Sequence, residues 1–260
     1  MVQIINRGHE MVCTVRIYEK PVLNDPVLIE GLPGIGFVAN MATLHLIKEL
    51  KAKLFGEIHS SYFQDFAVTI EDGKARYPVN EFYYYKGKGD ERDLILLYGN
   101  TQALTTRGQY ELCGRILDVA EELGCRYVLT LGGLKREEDV ETHKIYCAAS
   151  DIETLRDAAG FGTELSGGQI FGAAGLLVGL SGLRGMKGLS LLAETPGYLD
   201  VTATREMLDV MCRMLHLKVD LDKLDETAQT TSNIMESFGL VTRSEKEEKS
   251  EKESRPHGVI

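Results

Sequence analysis

The sequence has no tryptophan and only six prolines, and its 29 Lys and Arg are outnumbered by 39 Asp and Glu, a formal charge of −10. That shortage of positive charge argues against non-specific nucleic-acid binding, which needs clustered cations to displace counterions. It argues equally against an anionic membrane surface. No apolar run approaches the roughly 18 residues of a membrane span. The richest stretch, Ile170 to Leu183, is interrupted by Gly172, Gly175, Gly179 and Gly182. The opening, Met1 to Gly8, has neither the apolar core nor the small-residue cleavage site of a secretory signal. The expectation is a cytoplasmic protein with no nucleic-acid or membrane partner.

Several chemistries lack their residues. Cys13, Cys113, Cys125, Cys147 and Cys212 are odd in number, scattered and form no C-x-x-C pair, so they read as small buried hydrophobes in a reduced compartment. The six histidines never pair at i, i+4 as a zinc-binding helix requires, and no metal is expected. There is no G-x-S-x-G elbow and no G-x-x-x-x-G-K-[ST] phosphate loop. No catalytic set assembles from what remains.

What is present is a chain of 260 residues, long enough for one well-buried domain, with 27 glycines. Alternating Val12 to Tyr18 reads as a strand, and the apolar run Pro26 to Ile29 as a buried one. Glu30-Gly31-Leu32-Pro33-Gly34-Ile35-Gly36 then turns the chain into a helix from about Phe37 to Leu50. A hairpin follows around Glu71-Asp72-Gly73, flanked by strands Phe66 to Ile70 and Lys74 to Tyr77. Glu81 to Tyr85 adds an aromatic strand. Strands at Asp93 to Tyr98, Tyr127 to Leu131 (closed by Gly132-Gly133), His143 to Ala149 and Gly188 to Ala193 alternate with helices. Those helices fall near Thr106 to Leu123, Asp151 to Ala159, Gln169 to Leu183 and Asp200 to Leu217. The first of them should bury Tyr110, Cys113, Ile116, Leu117 and Ala120.

This alternation predicts an α/β domain over residues 1–219, a three-layer α/β/α sandwich with a mostly parallel sheet. Over residues 220–240, Leu221, Leu224, Ala228, Thr231, Met235 and Phe238 fall at heptad spacing. That seam either docks on its own domain or reaches a neighbouring subunit, with Leu224, Met235 and Phe238 as the contacts. Residues 241–260 form a charged tail expected to be disordered. Thr242 to Pro256 carries five basic and five acidic residues. The −10 therefore belongs to the body.

Two regions hold candidate sites. Gly34-Ile35-Gly36-Phe37-Val38-Ala39 fits the dinucleotide fingerprint G-x-G-x-x-A, in a strand–turn–helix context. Its acidic ribose partner is missing, however, since Glu57 does not sit at a strand end. The glycines serve equally well to make a tight turn with close helix packing. Ligands in open α/β sheets bind at the strand C-termini, where Glu30, Asn100 and Glu194 would line a crevice with Gly34 and Gly36. Thr130 and Thr195 lie at the same edge. Tyr83 and Tyr85, in the densest aromatic cluster, either face a protein partner or pack under helices. Lys135 to Asp139 reads as a solvated loop.

Glu30 to Ala39, taken with Leu191-Leu192-Ala193-Glu194-Thr195-Pro196-Gly197-Tyr198 and the helix after it, resembles the proteasome assembly chaperone 2 family. The archaeal members look nearest, and the resemblance runs from about residue 11 to 240. It implies a phosphorylase-like α/β/α fold, homo-oligomerisation, and binding of proteasome α subunits during ring assembly. It implies no established catalysis and no cofactor. Some archaeal members end in a hydrophobic–tyrosine–any-residue tail, and Gly258-Val259-Ile260 departs from that pattern. Outside the resemblance, the competing reading is a nucleotide- or nucleoside-binding enzyme or sensor at the Gly34–Gly36 loop.

Overall fold

The computed structural model describes residues 3–5, 13–69, 73–136 and 143–240. β1 (Gln3–Ile5), β2 (Cys13–Ile17) and β3 (Val27–Gly31) come first, and a 3-10 turn (Ile35–Phe37) leads into α1 (Val38–Glu49). β4 (Lys53–Ser60), the short hairpin β5 (Val68–Thr69) and β6 (Ala75–Arg76), β7 (Asn80–Tyr85) and β8 (Leu94–Gly99) follow. The second half runs α2 (Thr106–Glu122), β9 (Tyr127–Lys135), β10 (Ile145–Ala149), α3 (Ile152–Ala159) and β11 (Glu164–Leu165). It ends with α4 (Gly172–Leu183), β12 (Lys187–Thr195), α5 (Val201–Leu215) and α6 (Leu224–Ser237).

Ten strands form one sheet in the order β1-β2-β4-β7-β8-β3-β9-β12-β10-β11. Its centre, β8-β3-β9-β12, is parallel. β3 and β8 are buried at every position, as their continuous apolar runs require of strands covered on both faces. On the flanks β1, β2, β4 and β7 add antiparallel, and β10 joins β12 antiparallel before pairing in parallel with β11. The α/β sandwich therefore holds, with its parallel part confined to the middle apart from the short β10–β11 pair at one edge.

Alternation on the central strands splits the core in two. Val27, Ile29, Leu94, Leu96, Leu129 and Leu191 pack against α1, α3, α5 and α6. Leu28, Ile95, Leu97 and Val128 pack against α2 and α4 on the other face. All five cysteines are free thiols, and Cys113, Cys125 and Cys147 are buried in these layers. No helix among the described residues is long and apolar enough to cross a membrane.

Three elements differ from expectation, and a fourth takes one of its two expected placements. β4 is a strand that period-two counting misses, because a bulge between Leu54 and Gly56 shifts its register. Phe55 and Ile58, three residues apart, both enter the α2 side of the core. β9 does not stop at Gly132-Gly133 but continues to Lys135. A Cβ at Gly133 would collide with the Ile35 carbonyl, so this glycine admits the loop after β3 and does not end the strand. On α2, Leu112 takes the buried place expected of Tyr110, which is exposed. Finally, α6 docks on α1 and α5 of its own chain. Leu224 and Met235 are fully buried and Phe238 nearly so, with its ring 6.1 Å from that of Phe66. Buried His45 on α1 clasps this helix through Thr227 Oγ1 (3.1 Å) and the Asp220 carbonyl (2.7 Å). Residues 241–260 lie outside the described ones.

Candidate functional site

The parallel strands bring their C-terminal ends to one edge, where β3, β8 and β12 deliver the expected polar residues. Glu30 is the penultimate residue of β3 and is buried. Its Oε1 accepts the Leu32 N–H at 2.9 Å, while Oε2 has no partner among the described residues. Burial pushes the carboxyl up to about 8, and the Leu32 N–H offsets only part of that shift.

Glu194, also buried, is fully engaged. Its Oε1 accepts Arg136 Nη2 and the Tyr146 hydroxyl, both at 2.7 Å, and Oε2 accepts the Lys144 N–H at 3.4 Å. Arg136 Nη2 also donates to the Tyr146 hydroxyl at 2.6 Å. His143 Nδ1 closes the cluster on the Glu194 carbonyl at 2.6 Å. Arg136, itself about half exposed, is therefore the cation that pairs with buried Glu194 and no bystander in its loop. Its partner lies 58 positions away (194 − 136), and nothing local in the sequence announces the pairing.

The structure does not gather the two carboxylates into one crevice. Glu30 is level with Thr130 and Thr130 with Ser190, so Glu194 lies four residues beyond Glu30's level and two strands across. At about 4.8 Å per strand and about 3.3 Å per residue, their Cα atoms stand roughly 16 Å apart. Asn100 is committed elsewhere, its Oδ1 accepting the Val79 N–H at 3.0 Å. Thr130 sits within β9, since that strand runs on to Lys135.

The two glycines of the fingerprint have separate surroundings. Gly36 has φ +66°, and a Cβ there would lie 2.7 Å from Thr195 Oγ1 and 3.1 Å from the Tyr198 carbonyl. Its own carbonyl accepts the Asp200 N–H, the residue that caps α5. The close approach is thus made by protein from the end of β12, where a phosphate cradle would need open space. Gly34 is extended (φ −155°), with nothing within 4 Å of a Cβ. Glu57 is on β4, separated from β3 by β7 and β8, and binds His59 (2.8 Å) and Arg16 (3.3 Å). It is in no position to hold a ribose at this loop.

One residue does more at this edge than its sequence position suggested. Gln102 Nε2 donates to the Pro33 carbonyl (2.7 Å), and its Oε1 accepts the Ala173 N–H (3.0 Å) and Gln109 Nε2 (2.6 Å). It ties the loop after β3 to α2 and caps α4, whose own N-cap residue Phe171 supplies no side-chain bond.

The tyrosines of β7 also bond within the chain. Tyr83 is half-buried and its hydroxyl donates to Glu81 at 2.9 Å. Tyr85 is buried and donates to Glu91 at 2.6 Å; burial and that carboxylate push its phenol up to about 12. Of the expected partner contacts, Leu224, Met235 and Phe238 serve this chain's own core. Tyr83 retains some exposure. No three His, Cys, Asp or Glu side chains converge in a metal-holding group among the described residues.

A three-layer α/β protein whose strand-end side chains mostly bond its own loops defines the class. Comparison with known proteins gives the family: residues 28–238 match the PAC2 family, and the chain belongs to it. An uncharacterised protein of Methanocaldococcus jannaschii is 33% identical, over 92% of this chain and 89% of the relative. Among solved structures, Pyrococcus furiosus PbaB, described as an archaeal proteasome activator, superposes with a TM-score of 0.79. It is 37% identical and matches over 87% of this chain and 98% of that one. Pyrococcus furiosus PbaA, described as an archaeal homologue of a proteasome-assembly chaperone, shares the fold. Its TM-score is 0.72 at 23% identity, over 88% and 97% of the two chains.

Proposed function

We propose that this protein is a cytoplasmic, non-enzymatic chaperone-type factor that binds proteasome α subunits, assists proteasome assembly, and works as a homo-oligomer. The observation that carries the reading is the likeness to PbaB, at 37% identity along nearly the whole of both chains. Membership of the PAC2 family and the shared fold with PbaA support it. The strand-end geometry is consistent with it: two carboxylates on Cα atoms roughly 16 Å apart, one of them committed to Arg136 and Tyr146, are poorly placed to act together on one substrate atom. The fingerprint-like loop, filled by Thr195, gives a nucleotide-binding enzyme or sensor little support.

PbaB's description favours a second reading, activation of the assembled proteasome. Two assays separate the readings. Purified protein mixed with free α subunits should yield a stable complex by native mass spectrometry and faster ring formation. An activator would instead accelerate peptide hydrolysis by the finished particle. Binding to neither free subunits nor finished particle would overturn both.

A further inference from the structure

Beneath α4, the centre of the sheet carries a row of polar side chains where core is expected. Glu30 on β3 pairs in register with Thr130 on β9, and Thr130 with Ser190 on β12. Strand alternation places Glu30 and Thr130 on the face of Leu28 and Val128, toward α2 and α4. The row is bounded by Leu97 on one side and Ala148 on the other. All three polar residues are at most 1% exposed. Glu30 Oε2, Thr130 Oγ1 and Ser190 Oγ each lack a partner among the described residues.

Three orphaned oxygens side by side in a core are too costly to be left dry. None of the three bonds directly to another, and a spacing of about 4.8 Å between neighbouring strands suits one water in each gap. A buried water needs two to four polar partners. Each gap offers two side-chain oxygens, and a second water adds a third partner. The composition also settles the form of the carboxyl. α4 has no charged or titratable residue, and Cys113 of α2 is the titratable group that feels Glu30. Arg136, on the same edge, is spent on Glu194. A carboxylate buried without a cation takes up a proton.

We propose that Glu30, Thr130 and Ser190 form a buried hydration site, in which two ordered waters link the three oxygens and Glu30 is the neutral proton donor to the first. The proton comes from solvent on folding and returns to it on unfolding. The site joins β3, β9 and β12 under α4 and makes the fold a proton acceptor. The sign follows from the direction of the shift. Glu30 has an ordinary value of 4.5 and is pushed up to about 8 by burial, so between those values the native state holds the extra proton. Stability from this group is complete below about 4.5 and is lost as pH rises through about 8.

A diffraction map of the wild-type protein at better than about 1.5 Å should show water within about 3.2 Å of Glu30 Oε2 and Thr130 Oγ1. Denaturant unfolding at pH 5.5 and 7.5 should raise the wild-type unfolding constant by up to about tenfold per pH unit more than that of E30Q. The E30Q amide donates to the water without titrating. T130V should lower stability yet keep the wild-type pH slope. A dry map, or equal slopes for wild type and E30Q, overturns the proposal. A melting temperature raised by sodium or potassium but not by a bulky organic cation would make the occupant a metal ion and overturn it too. The wild-type map decides the matter even if E30Q fails to fold.

Discussion

Replacing Gly36 by alanine tests whether the fingerprint-like loop is a packing device. Two costs add at this position. A left-handed backbone at φ +66° penalises an L-residue by about 1–2 kcal/mol. The new Cβ would sit 2.7 Å from Thr195 Oγ1, an overpacking of about 1–3 kcal/mol. Gly36→Ala should therefore lose about 2–5 kcal/mol, and its melting temperature should fall by roughly 4–20 °C at about 2–4 °C per kcal/mol. Gly34→Ala is the internal control. Its extended backbone and empty surroundings predict no loss, with a gain of up to about 1 kcal/mol from a stiffer unfolded chain. Denaturant titration of both, in a cycle with Thr195→Ala, gives the coupling directly. The steric share should be relieved in the double variant while the backbone share remains. Equal losses at both glycines, or no coupling between Gly36 and Thr195, would refute the reasoning.

Leu224→Ala or Met235→Ala should cost about 2–5 kcal/mol in the unfolding transition, because both side chains are fully buried against the body. A change in subunit number by light scattering, with unchanged unfolding, would show instead that the α6 seam faces another chain. Arg136→Ala strips Glu194 of its cation and should destabilise by about 1–3 kcal/mol. Denaturant unfolding curves of the variant beside the wild type would read the loss. Asp200→Ala removes the side chain that accepts the Ala203 N–H at 2.9 Å and should cost about 0.5–2 kcal/mol by thermal unfolding.

The central strands were legible because burial on both faces demands the uninterrupted apolar runs that β3 and β8 display. The heptad seam of α6 was legible too, although its docking surface was not, since periodicity gives a face and no partner. β4 escaped because its bulge between Leu54 and Gly56 breaks the period that marks a strand. The extent of β9 was hidden by glycines that ordinarily punctuate, and here only make room. At the strand ends the residue types were read correctly and their company was not. Glu194 with Arg136, and Gln102 with Pro33 and Ala173, are pairings set by tertiary approach. Local sequence carries no trace of them.

The bond from Gln102 to the start of α4 has a consequence for the order in which the chain acquires structure. α4 contains Gly172, Gly175, Gly179 and Gly182 and no charged residue. Glycines inside a helix cost about 1 kcal/mol apiece relative to alanine, so this segment has little tendency to coil alone. Its cap is supplied from 71 positions upstream (173 − 102). α4 is thus expected to form only once the glutamine that caps it is in place. Synthesis from the N-terminus presents Gln102, β8, α2 and β9 before residue 172 is made, while β12, which α4 also covers, follows it.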